Sequence, residues 1–281
     1  MSMSSDQPSG PVRIMLWSTP RSVSTAFARS MSARGDTEVF WEPYFSCYFF
    51  GPDGAERIGE LPFDGTELTN EKYTYNYVNK LLGSVDFPVS RILFVKDMVE
   101  GIKDDFNVVK SGYKHSFIIR HPRKTFRSLY RSNQARKVSQ DNANLIKRHK
   151  DVYHTLEQFY RHVQTELDQG APPIIDADDL VDQPEKLLRK YCQATGIEYT
   201  PKMLTWESVD GDQLNWHCTD VGIFARPETK KSLMLSNALK GQGFGKAPDL
   251  TKDMKLPSAI EEMIKHALPA YEKLYNLRIK P

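Results

Sequence analysis

The sequence predicts an α/β fold, a central and mainly parallel five-stranded sheet flanked by helices. Three observations predict it. Short apolar runs alternate with helix-period segments along most of the chain. The first run, VRIMLW, ends abruptly in a hydroxyl-rich turn, STPRSVST, and a helical pattern follows, the layout of a phosphate-binding loop. No repeat or low-complexity linker divides the chain, so residues 12–281 are expected to form one domain behind a flexible segment at 1–11.

The elements follow in order. Residues 12–17 read as a buried strand and 21–33 as the helix after it, carrying Phe27 and Met31. Residues 38–41 (EVFW) make a second short strand, ended by Glu42-Pro43. An aromatic stretch, YFSCYFF, comes next, then a loop rich in Gly, Pro and Asp from 51 to 69; loops such as 44–69 and 208–247 are expected to carry acceptor specificity. Residues 70–82 predict a helix, 91–96 (RILFVK) a third strand, 99–110 a short helix, and 115–120 (HSFIIR) a fourth strand. Pro122 suits the first turn of a helix, which continues over 123–133. In 142–168, Leu145, Ile146, Val152, Leu156, Phe159, Val163 and Leu167 have the spacing of one long amphipathic helix. Residues 173–177 (PIIDA) are the fifth strand. PEKLLRKYCQATG has Pro184 near its start and Gly196 at its end, the marks of a helix. Residues 208–257 lack periodicity and read as a long functional loop with short helical pieces. A last helix covers 258–275.

Bulk properties narrow the function. The chain has 281 residues, 40% of them hydrophobic and 26% charged, enough apolar material for a sizeable core. A formal net charge of +2 implies no general attraction to nucleic acid or acidic membranes. The three cysteines, Cys47, Cys192 and Cys218, are far apart and suggest neither a disulfide framework nor a zinc site. The first eleven residues lack the apolar core of a signal peptide, and no apolar run approaches the ~20 residues that span a bilayer. A cytoplasmic location is the expectation. Oligomeric state leaves no trace in the sequence.

Ligands of an open parallel sheet gather at the carboxyl ends of its strands. STPRSVST sits there. Ser18, Thr19, Ser22, Ser24 and Thr25 offer hydroxyls, the free N–H groups of the next helix offer donors, and its dipole favours an anion. Arg21 adds a charged fork that fits phosphate or sulfate oxygens. The plainer reading is a Ser/Thr cap on a structural helix. A second segment, FIIRHPRKTFRSLYR, ends a strand in Arg120 and brings Ser128 eight positions later on a helix. Arg123, Lys124, Arg127 and Arg131 crowd the same helix, and such charges usually belong to a solvated face. Two separate anion sites suggest a nucleotide with phosphates at both ends.

With these residues together, the chain resembles sulfotransferases that use 3′-phosphoadenylyl sulfate (PAPS), whose fold is P-loop NTPase-like. STPRSVST matches the family's strand-loop-helix for the 5′-phosphosulfate, and Arg120 with Ser128 matches its R-x7-S pair for the 3′-phosphate. DADDLVDQPEKLLRKYCQATG is similar to a later family segment. The resemblance covers about residues 12 to 205. It implies PAPS as donor, adenosine 3′,5′-bisphosphate as product, a small-molecule hydroxyl acceptor and no metal. It carries donor contacts over to Thr19, Pro20, Arg21, Ser22, Val23, Ser24, Thr25, Arg120 and Ser128. The family's basic, glycine-containing segment near the C-terminus has no clear match here; Lys240-Gly241 and Arg226/Lys230/Lys231 are both candidates for closing over the 3′-phosphate. Two departures stand out. Val23 replaces a common glycine, which restricts or strains the backbone, and Ala26 replaces a common tryptophan.

An acceptor hydroxyl needs a base. Where many members have Lys-Thr-His, this chain has Lys96-Asp97-Met98. Glu42 ends the second strand and is expected at the same sheet edge, with Trp41, Tyr44, Phe45 and Tyr48 available as walls of an apolar acceptor pocket, although an aromatic run such as 44–50 is more often core than pocket. Asp97 is the alternative base, and also a candidate helix N-cap before VEGI. Lys96 is placed near the leaving group or the acceptor. Two other functions compete. A P-loop kinase or NTPase needs Gly-Lys-Ser/Thr at the loop's end, which is missing. A non-catalytic nucleotide-binding protein would keep the anion motifs without a working Glu42.

Overall fold

In the computed structural model, residues 10–54, 57, 69–84, 90–135, 142–167, 169–209, 214–220, 236–245 and 254–281 are described. Strands β1 (Val12–Ser18), β2 (Thr37–Trp41), β3 (Ile92–Met98), β4 (Lys114–Ile119) and β5 (Ile174–Asp176) form a wholly parallel sheet in the order β2-β3-β1-β4-β5. The chain leaves β1 towards one edge for β2 and β3, then crosses to its other side for β4 and β5. The crevice at the end of β1 is therefore the topological switch point, where such sheets bind ligands.

Strand alternation sends side chains to two cores. Met15, Trp17, Leu93, Val95, Phe117 and Ile119 face one way, while Ile14, Leu16, Ile92, Phe94 and Ile118 face the other. Helices α1 (Ser24–Ser32) and α8 (Pro184–Thr195) cover the second face through Phe27, Met31, Leu188 and Tyr191. Helices α2 (Pro43–Phe50), α3 (Tyr75–Ser84), α4 (Pro122–Ala135), α5 (Asn142–His149), α6 (Val152–Thr165) and α10 (Ser258–Leu277) supply the first. The short helix α7 (Ala177–Asp182) precedes α8, and α9 (Ser236–Lys240) precedes α10. No helix among the described residues is long and apolar enough to cross a membrane.

Three expectations are corrected and one open choice is decided. The aromatic run after Glu42 is not a loop but the buried helix α2. Between the core and pocket-wall readings of that run, Tyr44 and Phe45, 0% and 1% exposed, take the core. Residues 142–168 break into α5 and α6, because Asp151 leaves helical geometry at φ −102° and ψ 6° and His149 turns inward onto Glu100 at 2.9 Å. Residues 99–110 form two 3₁₀ turns, Val99–Ile102 and Phe106–Val108, not one helix. Gly101 lets the first pack tightly on α2, since a Cβ there would lie 2.4 Å from the Phe45 nitrogen. Residues 1–9 of the expected flexible segment at 1–11, and parts of the 51–69 and 208–257 loops, lie outside the described residues.

One buried histidine has a consequence for stability. Trp17 Nε1 donates to His115 Nδ1 at 2.9 Å, so that nitrogen must be unprotonated. Burial, and next the charge of His162, pull the His115 pKa down to about 4 from 6.5. Between these values the unfolded chain binds the extra proton and the folded one does not. This contribution to stability is present above pH 6.5 and is lost as pH falls towards 4, a total of about 3 kcal/mol. His115→Asn keeps an acceptor for Trp17 but cannot protonate. Urea unfolding at pH 7.5 and 4.5 is expected to show a smaller acid loss for the variant, and an equal loss counts against this account.

Candidate active site

The loop between β1 and α1 is strained where it meets the crevice. Among the described residues, the non-glycine residues with positive φ are Arg21 (61°), Val23 (69°), Glu42 (48°) and Cys218 (62°). The first three belong to the candidate site. A β-branched residue in the left-handed region is an outlier, and such strain clusters at functional sites. Val23 is the N-cap of α1 and makes no side-chain cap hydrogen bond, so no side chain at that position competes with an anion at the helix start. Ser22 Oγ bonds the Thr19 carbonyl at 2.7 Å and fixes the turn around Pro20. Ser18 Oγ bonds the Asp97 carbonyl at 2.9 Å and ties the loop's root to β3. Ser24 is buried and Thr25 half-buried in the first turn of α1.

The two anion segments interlock. Arg21 Nε donates to Ser128 Oγ at 2.9 Å. Arg120 Nη1 donates to the Arg21 carbonyl at 2.9 Å, while Arg120 Nε is buried without a hydrogen-bond partner. A buried donor of a charged group is costly to leave unsatisfied, and an anion in the crevice is the natural partner. Tyr153 on α6 donates its hydroxyl to the Arg120 carbonyl at 2.5 Å and so fixes the strand end. Sequence reasoning did not find Tyr153, because it lies on a distant helix inside an ordinary apolar pattern.

Parallel register sets the second half of the site. Lys96 pairs with Leu16 on one side and Trp41 on the other. Its ammonium forms a buried ion pair with Glu42 and lies 4.4 Å from the centre of the Trp41 ring. The Glu42 N–H donates to the Lys96 carbonyl at 2.7 Å. Trp41 stacks on Trp216 at 5.2 Å. Trp216 is brought there because His217 extends the edge of β2, accepting from Trp41 N–H at 3.0 Å and donating to the Val39 carbonyl at 2.9 Å. Nothing in the local pattern of 214–220 announced this.

Asp97 sits differently. Strand alternation turns it to the α2 face, away from Lys96 and Trp41. It is 1% exposed, and its two oxygens accept the N–H groups of Tyr44 (2.7 Å), Phe45 (3.1 Å) and Met98 (2.8 Å). Burial pushes its pKa up to about 8, with the Glu42 charge adding to the rise and the amide donors opposing it. The helix that it caps is α2, not the turn before VEGI.

Lys240, exposed, and Gly241 follow Leu239 in a segment held to residues 204–209. Leu239 accepts from Val209 N–H at 3.1 Å, and Gln242 accepts from Trp206 N–H at 3.3 Å. Arg29 of α1 in turn donates to the Glu207 carbonyl, which couples this segment to the helix after the β1–α1 loop. Arg226, Lys230 and Lys231 lie outside the described residues. Among the described residues no group of three or more His, Cys, Asp or Glu is arranged to hold a metal ion.

Comparison with known proteins gives this geometry a context. The family model described as Sulfotransferase domain matches residues 12–262. Two Arabidopsis thaliana proteins, Branched-chain-amino-acid aminotransferase-like protein 2 and protein 1, are each 26% identical, over 207 and 199 residues. The matches cover 69% and 70% of this chain and 32% of each relative, so the chain spans about a third of the length of the curated relatives it matches. Among solved structures, the Sulfotransferase Domain from the Synechococcus PCC 7002 Olefin Synthase superposes with a TM-score of 0.50 at 18% identity, covering 95% of both chains, a likeness of fold. The family match over 12–262, on a parallel sheet whose switch point carries the loop, shows that the chain belongs to the sulfotransferase domain family, with its P-loop NTPase-like fold.

Proposed function

We propose that this chain transfers a sulfuryl group from PAPS to a hydroxyl of a small-molecule acceptor, with Glu42 as the base. The observation that carries the reading is the interlock of Arg21 with Ser128 and of Arg120 with the Arg21 carbonyl, each at 2.9 Å. It draws two anion-binding segments, about a hundred residues apart, to one sheet edge. A nucleotide with phosphates at two ends suits that pair. The start of α1 and the loop hydroxyls take the 5′-phosphosulfate, and Arg120 with Ser128 takes the 3′-phosphate. The unpartnered Arg120 Nε supports this fit.

In that reaction an acceptor oxygen–sulfur bond forms, the bond from sulfur to the bridging phosphate oxygen breaks, and Glu42 receives the acceptor proton. Arg21 stabilises charge on the departing phosphate. Lys96 orients the Glu42 carboxylate and brings a positive charge to the same edge. Most of the acceleration is then positioning and charge stabilisation, as in phosphoryl transfer.

Titration calorimetry with adenosine 3′,5′-bisphosphate and with ATP tests the donor. The bisphosphate is expected to bind more tightly, and without Mg²⁺. A preference for ATP that needs Mg²⁺ would sink the reading. Transfer of labelled sulfate from PAPS across a panel of alcohols, phenols, sterols and sugars then identifies the acceptor class. Binding without transfer to any of them favours the non-catalytic alternative.

A further inference from the structure

Helix α2 starts in an unusual way. Its N-cap residue, Glu42, is left-handed and makes no side-chain cap hydrogen bond. A carboxylate at that place is normally drawn to the free amides of the first turn. Those amides are already taken. Tyr44 and Phe45 donate to Asp97 of β3, 53 and 52 positions away in the chain. The helix is capped from a neighbouring strand, and the Glu42 carboxylate is released to pair with Lys96.

The surroundings make this arrangement specific. Lys96 and Asp97 are consecutive on β3 and point to opposite faces, so they grip the Glu42 turn from two sides. Lys96 holds the Glu42 side chain and, through its carbonyl, the Glu42 N–H. Asp97 holds the two residues after Pro43. The turn behind them leaves no slack, since a Cβ at Gly101 would meet the Phe45 nitrogen at 2.4 Å. Asp97 itself is poorly placed to take a substrate proton, being 1% exposed with both oxygens accepting amides.

We propose that Asp97 is a positioning residue, which caps α2 in place of Glu42 and thereby holds the Glu42 carboxylate at Lys96 in its working orientation. The proposal rests on the reading of Glu42 as the base. Loss of the cap lets the Glu42 carboxylate swing to the vacated amides, away from the acceptor. A displacement of about 1 Å at a reacting group can cost on the order of 10²-fold in rate.

Three measurements test it together. Asp97→Asn is near in size but presents an amide group to one of the N–H donors. It is expected to lower kcat about 10²-fold while the Kd for adenosine 3′,5′-bisphosphate stays within about 3-fold. In a Glu42→Gln background the same change is expected to lower kcat no further, because it acts through Glu42. A full additional loss in the double variant, or a parallel loss of nucleotide affinity, means a general structural role and overturns the proposal. Amide hydrogen exchange in the unaltered protein covers the case in which the variants do not fold. Tyr44 and Phe45 amides should be strongly protected, and rapid exchange at both removes the cap and the proposal with it. The two readings fail separately. Turnover retained in Glu42→Gln rejects the base, whereas turnover lost in Glu42→Gln but intact in Asp97→Asn rejects only the role of Asp97.

Discussion

Glu42→Gln is expected to lower kcat by about 10²–10⁴-fold, the usual contribution of a placed base, with the Kd for adenosine 3′,5′-bisphosphate changed by less than about 2-fold. The reason for choosing glutamine lies in the Lys96 ion pair. Both partners are buried, with side chains 3% and 7% exposed. Removing one partner of a buried pair costs about 3–5 kcal/mol, because it strands the other charge. An alanine would mix that loss of stability with the loss of catalysis. Glutamine keeps an oxygen for the Lys96 ammonium and a similar volume, and removes mainly the ability to take a proton. The proposed donor contacts lie in the β1–α1 loop, at the start of α1, just after β4 and on α4, so nucleotide affinity should survive. Turnover within about 3-fold of the unaltered protein would remove Glu42 as the base.

Arg120→Ala is expected to raise the Kd for adenosine 3′,5′-bisphosphate by about 10- to 100-fold, since a hydrogen bond to a charged group is worth about 1.5–3 kcal/mol. The 3′-hydroxyl analogue, adenosine 5′-phosphate, should lose less than about 5-fold. The comparison matters because Arg120 has two connections. Its Nη1 holds the Arg21 carbonyl, a duty to the loop, while its Nε is buried without a hydrogen-bond partner, and the proposed reading gives this guanidinium the 3′-phosphate. Loss of the first weakens both nucleotides alike. Loss of the second weakens only the one with a 3′-phosphate. Equal losses in calorimetry would reject the 3′-phosphate assignment and leave Arg120 as a support of the loop.

The strands and the turn after β1 were legible because their signals are local. VRIMLW is an unbroken apolar run, and STPRSVST states its chemistry within eight residues. Arg120 and Ser128 were legible because a strand end and the next helix fix their spacing. Helix α2 was not. Every residue from Pro43 to Phe50 is buried, so the run has no polar face and no helical period to read. The break between α5 and α6 was hidden for a related reason. The apolar spacing runs on through it, and the interruption comes from His149 meeting Glu100, 49 positions away in the chain. Asp97 offered two readings, base or cap, and the helix it caps was itself unseen. Val23 posed a clear choice between a relaxed and a strained loop, but its φ of 69° depends on how β1, α1 and β4 converge.

Strand β3 carries two neighbouring residues with opposite duties, and the pleat alone keeps them apart. A slip of β3 by one position against β1 and β2 would exchange the faces of the whole strand. An ammonium would then lie under the amide donors of α2, and a carboxylate would face Glu42 beneath Trp41. Each contact would turn from attraction to repulsion at once. Lys96 and Asp97 therefore suit one alignment of β3 against β1 and β2, the one in which Lys96 meets Glu42 and Asp97 meets the α2 amides.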